Sequence, residues 1–395
     1  MIEEAPVSTH DVIIFDTHPV QYRAPIYAGL YERVGDRFEV VYASDMSVRG
    51  YRDEGFAARI EWDTPLVAGY PHRFLPGLDT GHGFRKHRRD GVRAVIAERR
   101  PKAVIVHGTH FEYYLAAMFF ARLVGAKVWL RAETQDGVFR RSWLKDMLRT
   151  VALRGLYSFL DRAFYFGELN RRHLLRMGVA EGKLRPTLFS VSDPVKAMSH
   201  AQKAERRARL RQRLGIADTT TAIAFVGKFI VQKNPGALLR AIRQTSPGAL
   251  GDAMLLWVGS GPLRDELRAQ AEAVERDHAI PSQFVGFVNQ RELPDYFLAA
   301  DVMVLPSVSE TWGLVVNEAL QAGCRVAMTD AVGSHPDFGP LFGVEVVPAR
   351  DDHALAAAIE RLAPMARDFD WAARHMETYS TEAAVDTLAR EIEQL

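Results

Sequence analysis

The chain has 395 residues, enough for two or three domains with sizeable cores. Its 50 lysine and arginine residues balance 49 aspartate and glutamate residues, which excludes a strongly basic chain and argues against a nucleic-acid partner. The single cysteine, Cys324, excludes an internal disulfide and suits a reducing compartment. The N-terminus lacks the basic and apolar regions of a signal peptide, so we expect a cytoplasmic protein.

Short apolar runs recur along the N-terminal half and predict the strands of a parallel α/β sheet. They lie at 11–16, 38–42, 102–106, 126–130 and 163–166. The longest apolar region, 113–130, contains charged residues and predicts a buried helix followed by a strand instead of a membrane span. Ligands of open α/β sheets bind at the carboxyl ends of the strands. Polar side chains follow the predicted strand ends: His18, Gln21, Tyr22, His107, His110, Arg131 and Glu133.

Two segments of the N-terminal half depart from this alternation. Residues 52–84 are rich in glycine, proline and aromatic residues and predict a long irregular segment. Residues 139–164 carry apolar side chains at 144, 147, 148 and 151, which fit one face of a helix, with basic residues between them. This pattern is typical of a core helix with basic solvent-facing residues, and a helix lying on an anionic lipid surface is the alternative.

The C-terminal half begins near residue 195 and repeats the pattern of strands and helices. The strand 221–226 runs into Gly227 and Lys228, and Lys233 follows five residues later. Two ammonium groups at the carboxyl end of a strand would stabilise a departing diphosphate, although loop lysines are more commonly only solvated. A turn with Gly259 and Gly261 follows the predicted strand 254–258, and a further predicted strand, 283–288, contains Gly286.

The stretch 301–338 predicts a strand, a loop, a helix and a second strand. Glu310 precedes the helix and Glu318 lies within it, so a fully helical interval would separate them by about 12 Å along the axis. That span suits a sugar joined through a diphosphate to a ribose, since carboxylates accept hydroxyl hydrogens. Gly313 allows close backbone approach, and the N–H groups that begin the helix can face a phosphate. The alternative is a favourable charge at the helix start and a solvated Glu318.

The segments 307–314 and 317–323 closely resemble the Glu-x7-Glu signature of glycosyltransferase family 4, with Trp312 where phenylalanine is usual. Members of that family are retaining enzymes that use nucleotide sugars and have the GT-B fold. The resemblance implies an α/β protein with two Rossmann-like parallel-sheet domains that face each other across a cleft. Residues 1–194 would form the acceptor-side domain, with the final helix, about 375–395, packing back on it. Residues 195–374 would bind the nucleotide sugar.

The resemblance also implies which residues bind the donor. Lys228 and Lys233 correspond to the family's diphosphate clamp, Glu310 to the residue that takes the sugar hydroxyls and Glu318 to the residue that takes the ribose. The remaining donor-binding candidates come from the glycine turns, the base-binding loop and the signature itself: Gly227, Gly259, Gly261, Phe287, Val288, Thr311, Trp312, Gly313 and Leu314.

In the N-terminal half, the loop 19–22 resembles the Pro-Val-Gln-Tyr loop of a subset of the family. The acceptor-side candidates are His18, Gln21 and Tyr22 in this region and Arg131 at the end of the strand 126–130. Many relatives have a histidine near the end of the strand 126–130 that contacts the transferred sugar. Here Arg131 and Glu133 occupy that region, so His110 and His107 are its substitutes, or ordinary structural histidines. The catalytic candidates are accordingly Glu310, Lys228, Lys233, His110 and Glu133.

The reaction implied is transfer of a hexosyl group from a UDP or GDP sugar to a hydroxyl of a glycan or lipid-linked acceptor, in polysaccharide or other glycoconjugate synthesis. It implies no cofactor and no metal, and a cytoplasmic protein that could bind the inner face of the membrane. The Asp-x-Asp match at 368–370 falls in a predicted helical stretch away from strand ends, and we attribute it to chance. Alternatives are an epimerase or a phosphorylase of the same architecture, or an inactive nucleotide-sugar-binding homologue.

Overall fold

The computed structural model describes residues 10–75, 89–136 and 142–395. The chain divides into two compact units: unit 1 contains residues 1–51, 64–189 and 381–395, and unit 2 contains residues 52–63 and 190–380. Every helix in the described ranges is too short or too polar to cross a bilayer.

The strands and helices alternate along most of the chain. The strands are β1 (Val12–Asp16), β2 (Phe38–Tyr42), β3 (Tyr51–Asp53), β4 (Ala58–Ile60), β5 (His72–Phe74), β6 (Ala103–Val106), β7 (Lys127–Leu130), β8 (Arg162–Tyr165), β9 (Leu184–Pro186), β10 (Thr221–Val226), β11 (Ala253–Val258), β12 (Ser282–Gly286), β13 (Val302–Leu305), β14 (Arg325–Thr329) and β15 (Val344–Val347). The helices are α1 (Ala24–Val34), α2 (Arg89–Arg99), α3 (Glu112–Leu123), α4 (Trp143–Tyr157), α5 (Glu168–Arg176), α6 (His200–Arg213), α7 (Gly236–Ile242), α8 (Arg264–His278), α9 (Leu293–Ala299), α10 (Leu314–Gln321), α11 (His335–Phe338), α12 (Asp352–Leu362), α13 (Trp371–His375) and α14 (Thr381–Glu393).

Unit 1 is built on a seven-stranded parallel sheet with the order β5-β2-β1-β6-β7-β8-β9. Successive residues of β1 point to opposite faces, and each face has its own hydrophobic cluster: Ile13 and Phe15 belong to one, Val12 and Ile14 to the other. Helices cover both faces, which explains why the strands are apolar at nearly every position.

Helix α14 closes one face of unit 1 with residues from the far end of the chain. Val385, Leu388 and Ile392 are buried in the same cluster as Tyr27 and Leu30 of α1. Beside them, Glu391 accepts hydrogen bonds from Arg162 Nε and Arg185 Nε, and so ties α14 to the strands β8 and β9. The core of unit 1 is therefore complete only when the last helix is in position.

Unit 2 contains a six-stranded parallel sheet with the order β12-β11-β10-β13-β14-β15. Its main hydrophobic cluster joins strand residues such as Phe225 and Trp257 to the helices α7, α8 and α12. The expectation of an α/β protein with two parallel-sheet domains is confirmed.

Three local predictions differ from the structure. The segment 52–84, predicted to be irregular, contains β4 and β5, and β5 extends the sheet of unit 1 through β2. Helix α4 is not a core helix, because Tyr157 is the one residue buried in it. Helix α3 buries one face, as expected, but also exposes Leu115, Phe119 and Leu123. Residues 76–84, and 139–141 of the predicted helix 139–164, lie outside the described ranges.

The substitution Leu388→Ala tests the dependence of unit 1 on α14. Leu388 is 1% exposed, so the change removes packed methyl groups and should lower the free energy of unfolding of unit 1 by about 2–4 kcal/mol. Native-state hydrogen exchange of the β1 and β2 amides measures this. Val48→Ala at an exposed position of the same unit is the control and should change exchange little. Equal protection in both variants would contradict the packing role of α14.

Candidate functional site

The strand order of unit 2 brings two loops together at the carboxyl edge of its sheet. From β10 the chain goes outward to β11 and β12 on one side, then returns to β13 on the other side of β10. The direction of winding therefore reverses between β10 and β13, and ligands of such sheets bind at this reversal point. The loop after β10 contains Lys228 and Lys233, and the loop after β13 contains Glu310.

Lys233 and Glu310 are in direct contact across this point. The Lys233 Nζ donates a hydrogen bond to Glu310 Oε2, and both side chains are largely buried. The backbone fixes their loops: Val308 N donates to Gln232 O at 2.9 Å, and Glu310 N donates to Ala331 O at 3.1 Å. Two residues that are 77 positions apart in the chain thus form an ion pair at the switch point.

Lys228 has a different carboxylate partner. Its Nζ donates to Asp53 Oδ2 at 2.8 Å and lies 4.9 Å from the centre of the Phe56 ring. Asp53 and Phe56 belong to the segment 52–63, which precedes most of unit 1 in sequence but packs with unit 2. Neither residue was predicted to belong to the site, because a single aspartate in a segment rich in glycine, proline and aromatic residues carries no local signal.

The glycine turns at the ends of β10, β11 and β12 pack against one another through their backbone atoms. Gly259 N donates to Gly286 O at 2.7 Å, and Gly227 N donates to Val258 O at 2.9 Å. A Cβ on Gly259 would lie 1.9 Å from Gly227 O, and a Cβ on Gly261 would lie 2.6 Å from Phe229 O. Both glycines also have positive φ angles, so no other residue fits at these two turns.

The base-binding candidates lie just beyond Gly286, at the end of β12. The Phe287 ring packs edge-on against Phe56, with the ring centres 5.0 Å apart. Val288 follows it in the same loop. The three glycine-rich turns and this loop therefore lie next to one another at one edge of the sheet.

The Glu-x7-Glu stretch is helical only in part. Helix α10 begins at Leu314, so the separation of about 12 Å, which assumed a fully helical interval, does not apply. Gly313 has a φ of 91°, and a Cβ there would lie 2.9 Å from Val332 and 3.0 Å from Leu305. Thr311 is exposed in the loop before this glycine.

The indole of Trp312 is structural. It is 5% exposed, packs against Phe338 with ring centres 5.8 Å apart, and donates from Nε1 to Asn317 Oδ1 at 2.8 Å. Because the ring is buried, only the backbone of this residue could contact a ligand. The aromatic position of the signature therefore anchors the loop that carries Glu310 to the first turns of α10.

Glu318 lies on α10, and its side chain is largely buried. Burial raises the pKa of its carboxyl to about 7, and the charge of Lys233 opposes that rise. At neutral pH the group is thus divided between a neutral acid, which can donate a hydrogen bond, and a carboxylate, which accepts them.

A second polar cluster lies at the strand ends of unit 1. The buried Asp16 accepts from Arg23 Nη1 at 2.6 Å, and Arg23 Nη2 donates to Glu133 Oε1 at 3.0 Å. The Tyr22 hydroxyl donates to the same Glu133 oxygen at 3.1 Å. Burial opposes the ionisation of Asp16, but the adjacent Arg23 brings its pKa down to about 2. Arg23 therefore links the ends of β1 and β7, a role that sequence analysis missed.

His107 lies in the interior of this cluster. The Tyr27 hydroxyl donates to Asp16 Oδ2 at 3.0 Å and lies 2.8 Å from His107 Nε2. Because the hydroxyl proton goes to Asp16, His107 donates from Nε2. Burial and the nearby Arg23 keep the pKa of His107 well below its usual range. His107 is thus a neutral structural histidine, the alternative that its sequence left open.

The other unit 1 candidates differ in exposure. His110 is exposed and packs on Phe111, with ring centres 4.0 Å apart. His18 is half-buried, with Nδ1 3.1 Å from the Thr17 hydroxyl, and burial lowers its pKa. Arg131 is buried, lies over the Phe166 ring at 4.6 Å, and has its pKa lowered to about 10 by burial. Gln21 is half-buried before α1.

The Asp-x-Asp match at 368–370 was predicted to lie in a helical stretch, and this prediction is wrong. The match falls in the turn between α12 and α13, where Asp368 pairs with Arg374 and Asp370 with His200. In the described ranges, no three His, Cys, Asp or Glu side chains are grouped so that they could hold a metal ion.

Comparison with known proteins agrees with this geometry. The family model described as "Glycosyl transferases group 1" matches residues 206–373. The chain is 34% identical over 129 residues to the uncharacterized glycosyltransferase MJ1607 of Methanocaldococcus jannaschii, covering 33% of this chain and 32% of that protein. It is 30% identical over 200 residues to a D-inositol 3-phosphate glycosyltransferase of Salinispora tropica, covering 47% of this chain and 41% of that protein. The matches thus span a third to two fifths of these relatives.

Similarity to solved structures extends over the whole chain. The crystal structure of Anabaena Alr3699/HepE in complex with UDP has a TM-score of 0.71 and 14% sequence identity, and the match covers 98% of this chain and 100% of that one. The same protein is known in complex with UDP-glucose, with a TM-score of 0.65. The fold is therefore the GT-B type of α/β fold with two parallel-sheet domains.

The substitution Glu318→Gln tests the burial of that carboxyl. The folded-state pKa is raised, so the native state binds the proton more tightly, and this stabilisation is complete below about pH 4.5 and lost as the pH rises towards 7. We therefore compare the free energy of unfolding of the variant with that of wild type at two pH values. The difference, variant minus wild type, should be about 2 kcal/mol larger at pH 8 than at pH 5. Urea unfolding at both pH values measures this. The matched control, Glu272→Gln at an exposed position of α8, should show no such difference.

Proposed function

We propose that this chain is a retaining glycosyltransferase that transfers a hexosyl group from a nucleoside diphosphate sugar to an acceptor hydroxyl. The observation that carries this proposal is the contact between Lys233 and Glu310 at the switch point of the unit 2 sheet. Lys228 and the glycine turns lie on the same sheet edge, and Glu318 of α10 is close enough to Lys233 to be affected by its charge. Such a site combines cations for a diphosphate with carboxylates for sugar hydroxyls.

We propose a UDP or GDP sugar as the donor. The match of residues 206–373 to the glycosyl transferase family supports this, because these residues contain the lysine, glycine and glutamate elements of unit 2. The fold-level similarity to a protein that binds UDP and UDP-glucose is consistent with it. In this proposal Phe287 and Val288 border the base, while Gly227, Gly259 and Gly261 allow the phosphates to approach the backbone.

Each charged residue then has a defined task. Lys228 and Lys233 neutralise the diphosphate as its bond to the sugar carbon breaks, Glu310 accepts sugar hydroxyl hydrogens, and Glu318 accepts those of the ribose. The acceptor oxygen bonds to the same carbon on the face that the diphosphate leaves, and its proton passes to the departing phosphate. No protein nucleophile or resident metal ion is required, because the two ammonium groups supply the positive charge.

Unit 1 supplies the acceptor-side candidates in this proposal. The exposed His110 and the half-buried Glu133 are the groups able to contact a hydroxyl. Tyr22 and Arg23 fix the orientation of Glu133 through two hydrogen bonds to one oxygen. His18, Gln21 and Arg131 are the neighbouring acceptor-side candidates.

Glu310→Gln tests the central proposal. The amide keeps the shape of the side chain but loses the charge that pairs with Lys233, so we expect sugar transfer to fall about 100- to 1,000-fold while UDP binding changes only a few-fold. Mass spectrometry of reactions with a panel of UDP and GDP sugars and acceptors measures transfer, and calorimetry measures UDP binding. Glu292→Gln, at an exposed position before α9, is the control. Donor conversion without any acceptor would indicate an epimerase and overturn the proposal.

We further propose that the protein binds the inner face of the membrane, where lipid-linked acceptors are found. Ten of the fourteen exposed large apolar side chains in the described ranges belong to α3, α4 and the residues that follow them: Leu115, Phe119, Leu123, Val124, Trp143, Leu144, Met147, Leu148, Val151 and Phe159. We call this set the apolar face. Trp143 is 77% exposed and Leu148 is 60% exposed.

The charges around the apolar face favour anionic lipid. Helix α4 carries Lys145, Arg149 and Arg154 against one acidic residue, Asp146. At its far end, Arg122 Nη2 donates to Phe159 O and pairs with Asp161, which joins the end of α3 to the turn after α4. A helix with exposed tryptophan and leucine between basic residues is typical of a segment that lies in a lipid interface.

The double substitution Trp143→Glu with Leu148→Glu tests this surface. We expect wild type to sediment with vesicles of phosphatidylglycerol and phosphatidylcholine at low salt, and the double variant to remain in solution. The matched control, Val48→Glu with Phe342→Glu, introduces the same charges at exposed apolar positions elsewhere and should sediment like wild type. Wild-type protein that stays in solution at every salt concentration would refute membrane binding.

A further inference from the structure

The segment 52–63 packs on three of the proposed donor-binding elements of unit 2. The Asp53 carboxylate holds Lys228, the Gly55 backbone lies against Gly261, and the Phe56 ring packs on Phe287. In the proposed function, Lys228 binds the diphosphate, Gly261 belongs to a glycine turn that the phosphates approach, and Phe287 borders the base. One short tip, residues 53–56, therefore contacts one residue proposed for the diphosphate, one glycine turn and one residue proposed for the base.

The contact with Lys228 is electrostatic. The Asp53 side chain is mostly buried, its Oδ2 lies 2.8 Å from Lys228 Nζ, and the ammonium also faces the Phe56 ring. An aspartate carboxylate in this position offers the lysine the same anionic oxygen that a phosphate would offer. While the pair is intact, the charge of Lys228 is neutralised, and a diphosphate beside it would also be repelled by Asp53.

The contact with Gly261 is steric. A Cβ built on Gly261 would lie 2.8 Å from Gly55 O, and a Cβ on Gly55 would lie 2.7 Å from Lys228 Cδ. The backbone of the tip thus fills the space beside the glycine turn, where close approach of phosphates was expected. Charge and shape point to the same conclusion, that the tip and a diphosphate need the same place.

The segment is also attached at its other end. Asn289 Nδ2 donates to Glu61 O at 2.7 Å, and Arg291 N donates to Asp63 Oδ2 at 3.2 Å. The tip itself is a tight turn in which Phe56 N donates to Asp53 Oδ1 at 3.0 Å, and Ala57 has a φ of 53°, unfavourable for a residue with a Cβ. The attachment at 61–63 and the strained turn at 53–57 allow the tip to move while residues 61–63 stay in place.

We propose that Asp53 and its turn are an intramolecular competitor of the donor: the tip occupies Lys228 and Gly261, and binding of a nucleoside diphosphate displaces it. The inference rests on the proposed function, since it assigns the diphosphate to Lys228. Its consequence is that Asp53 lowers donor affinity, whereas the other acidic residues assigned to the site raise it. The tip thereby sets the donor concentration at which the enzyme becomes occupied.

The first test compares Asp53→Asn with wild type by calorimetry, using UDP, inorganic pyrophosphate and uridine as probes. Removing the competing charge should tighten the binding of UDP and of pyrophosphate by about tenfold and leave uridine, which has no phosphate, unchanged. Glu54→Gln is the matched control, because it removes the same charge from the adjacent, exposed residue. In the double variant Asp53→Asn with Lys228→Ala, the gain seen for Asp53→Asn alone should disappear.

The second test needs no substitution in the site. Hydrogen exchange of the amides in residues 53–58 should become faster when wild-type protein is saturated with UDP, because the displaced tip loses its contacts. Slower exchange, or weaker UDP binding by Asp53→Asn, would overturn the inference and make Asp53 a residue that positions Lys228. If wild-type protein binds none of UDP, GDP or pyrophosphate, the proposed function itself fails. If it binds them but gives one of the two results above, only the inference about Asp53 fails, and so the two failures are distinguishable.

Discussion

Two lysines at the carboxyl edge of the unit 2 sheet are each neutralised by a carboxylate, and the properties of the site follow from these two ion pairs. Lys233 is paired with Glu310, which the strand order brings to it across the switch point. Lys228 is paired with Asp53, which comes from a segment outside the sheet. A partly buried ammonium group without a partner is costly, and each lysine here is oriented by the carboxylate that it pairs with. A polyanionic ligand must then exchange with, or add to, these pairs.

The polar cluster of unit 1 follows a different principle. Arg23, Asp16, Tyr27 and His107 are buried, and in this order each is joined to the next by a hydrogen bond. Buried charges are tolerated when the protein supplies hydrogen-bond partners of opposite charge, as Arg23 does for Asp16. Glu133 lies at the edge of this cluster, where it receives two hydrogen bonds and remains partly accessible. A buried hydrogen-bonded cluster thus presents one carboxylate at the surface of the unit.

Much of this was predictable from the sequence, because the signals were local. The parallel sheets followed from apolar runs with helical patterns between them, and the neighbourhood of Glu310 and Lys233 followed from their places after two strands. Asp53 was not predictable, because its partner lies 175 residues away and the chain must leave unit 1 to reach it. The burial of Trp312 depends on Phe338 and Asn317, which the spacing did not connect to it. Helix α4 has a pattern typical of core helices, and only the assembled unit shows that its apolar side chains are exposed.

Helix α14 has a consequence for the order of folding during synthesis. Residues 190–380, which form nearly all of unit 2, leave the ribosome before α14 does, whereas unit 1 must wait for the last residues of the chain to cover one side of its sheet. The nascent N-terminal half therefore carries an uncovered apolar surface around Tyr27 and Leu30 throughout the synthesis of unit 2. The apolar surface of unit 1 is thus made early and covered late, and a nascent chain that stalls before residue 381 would expose that surface to chaperones.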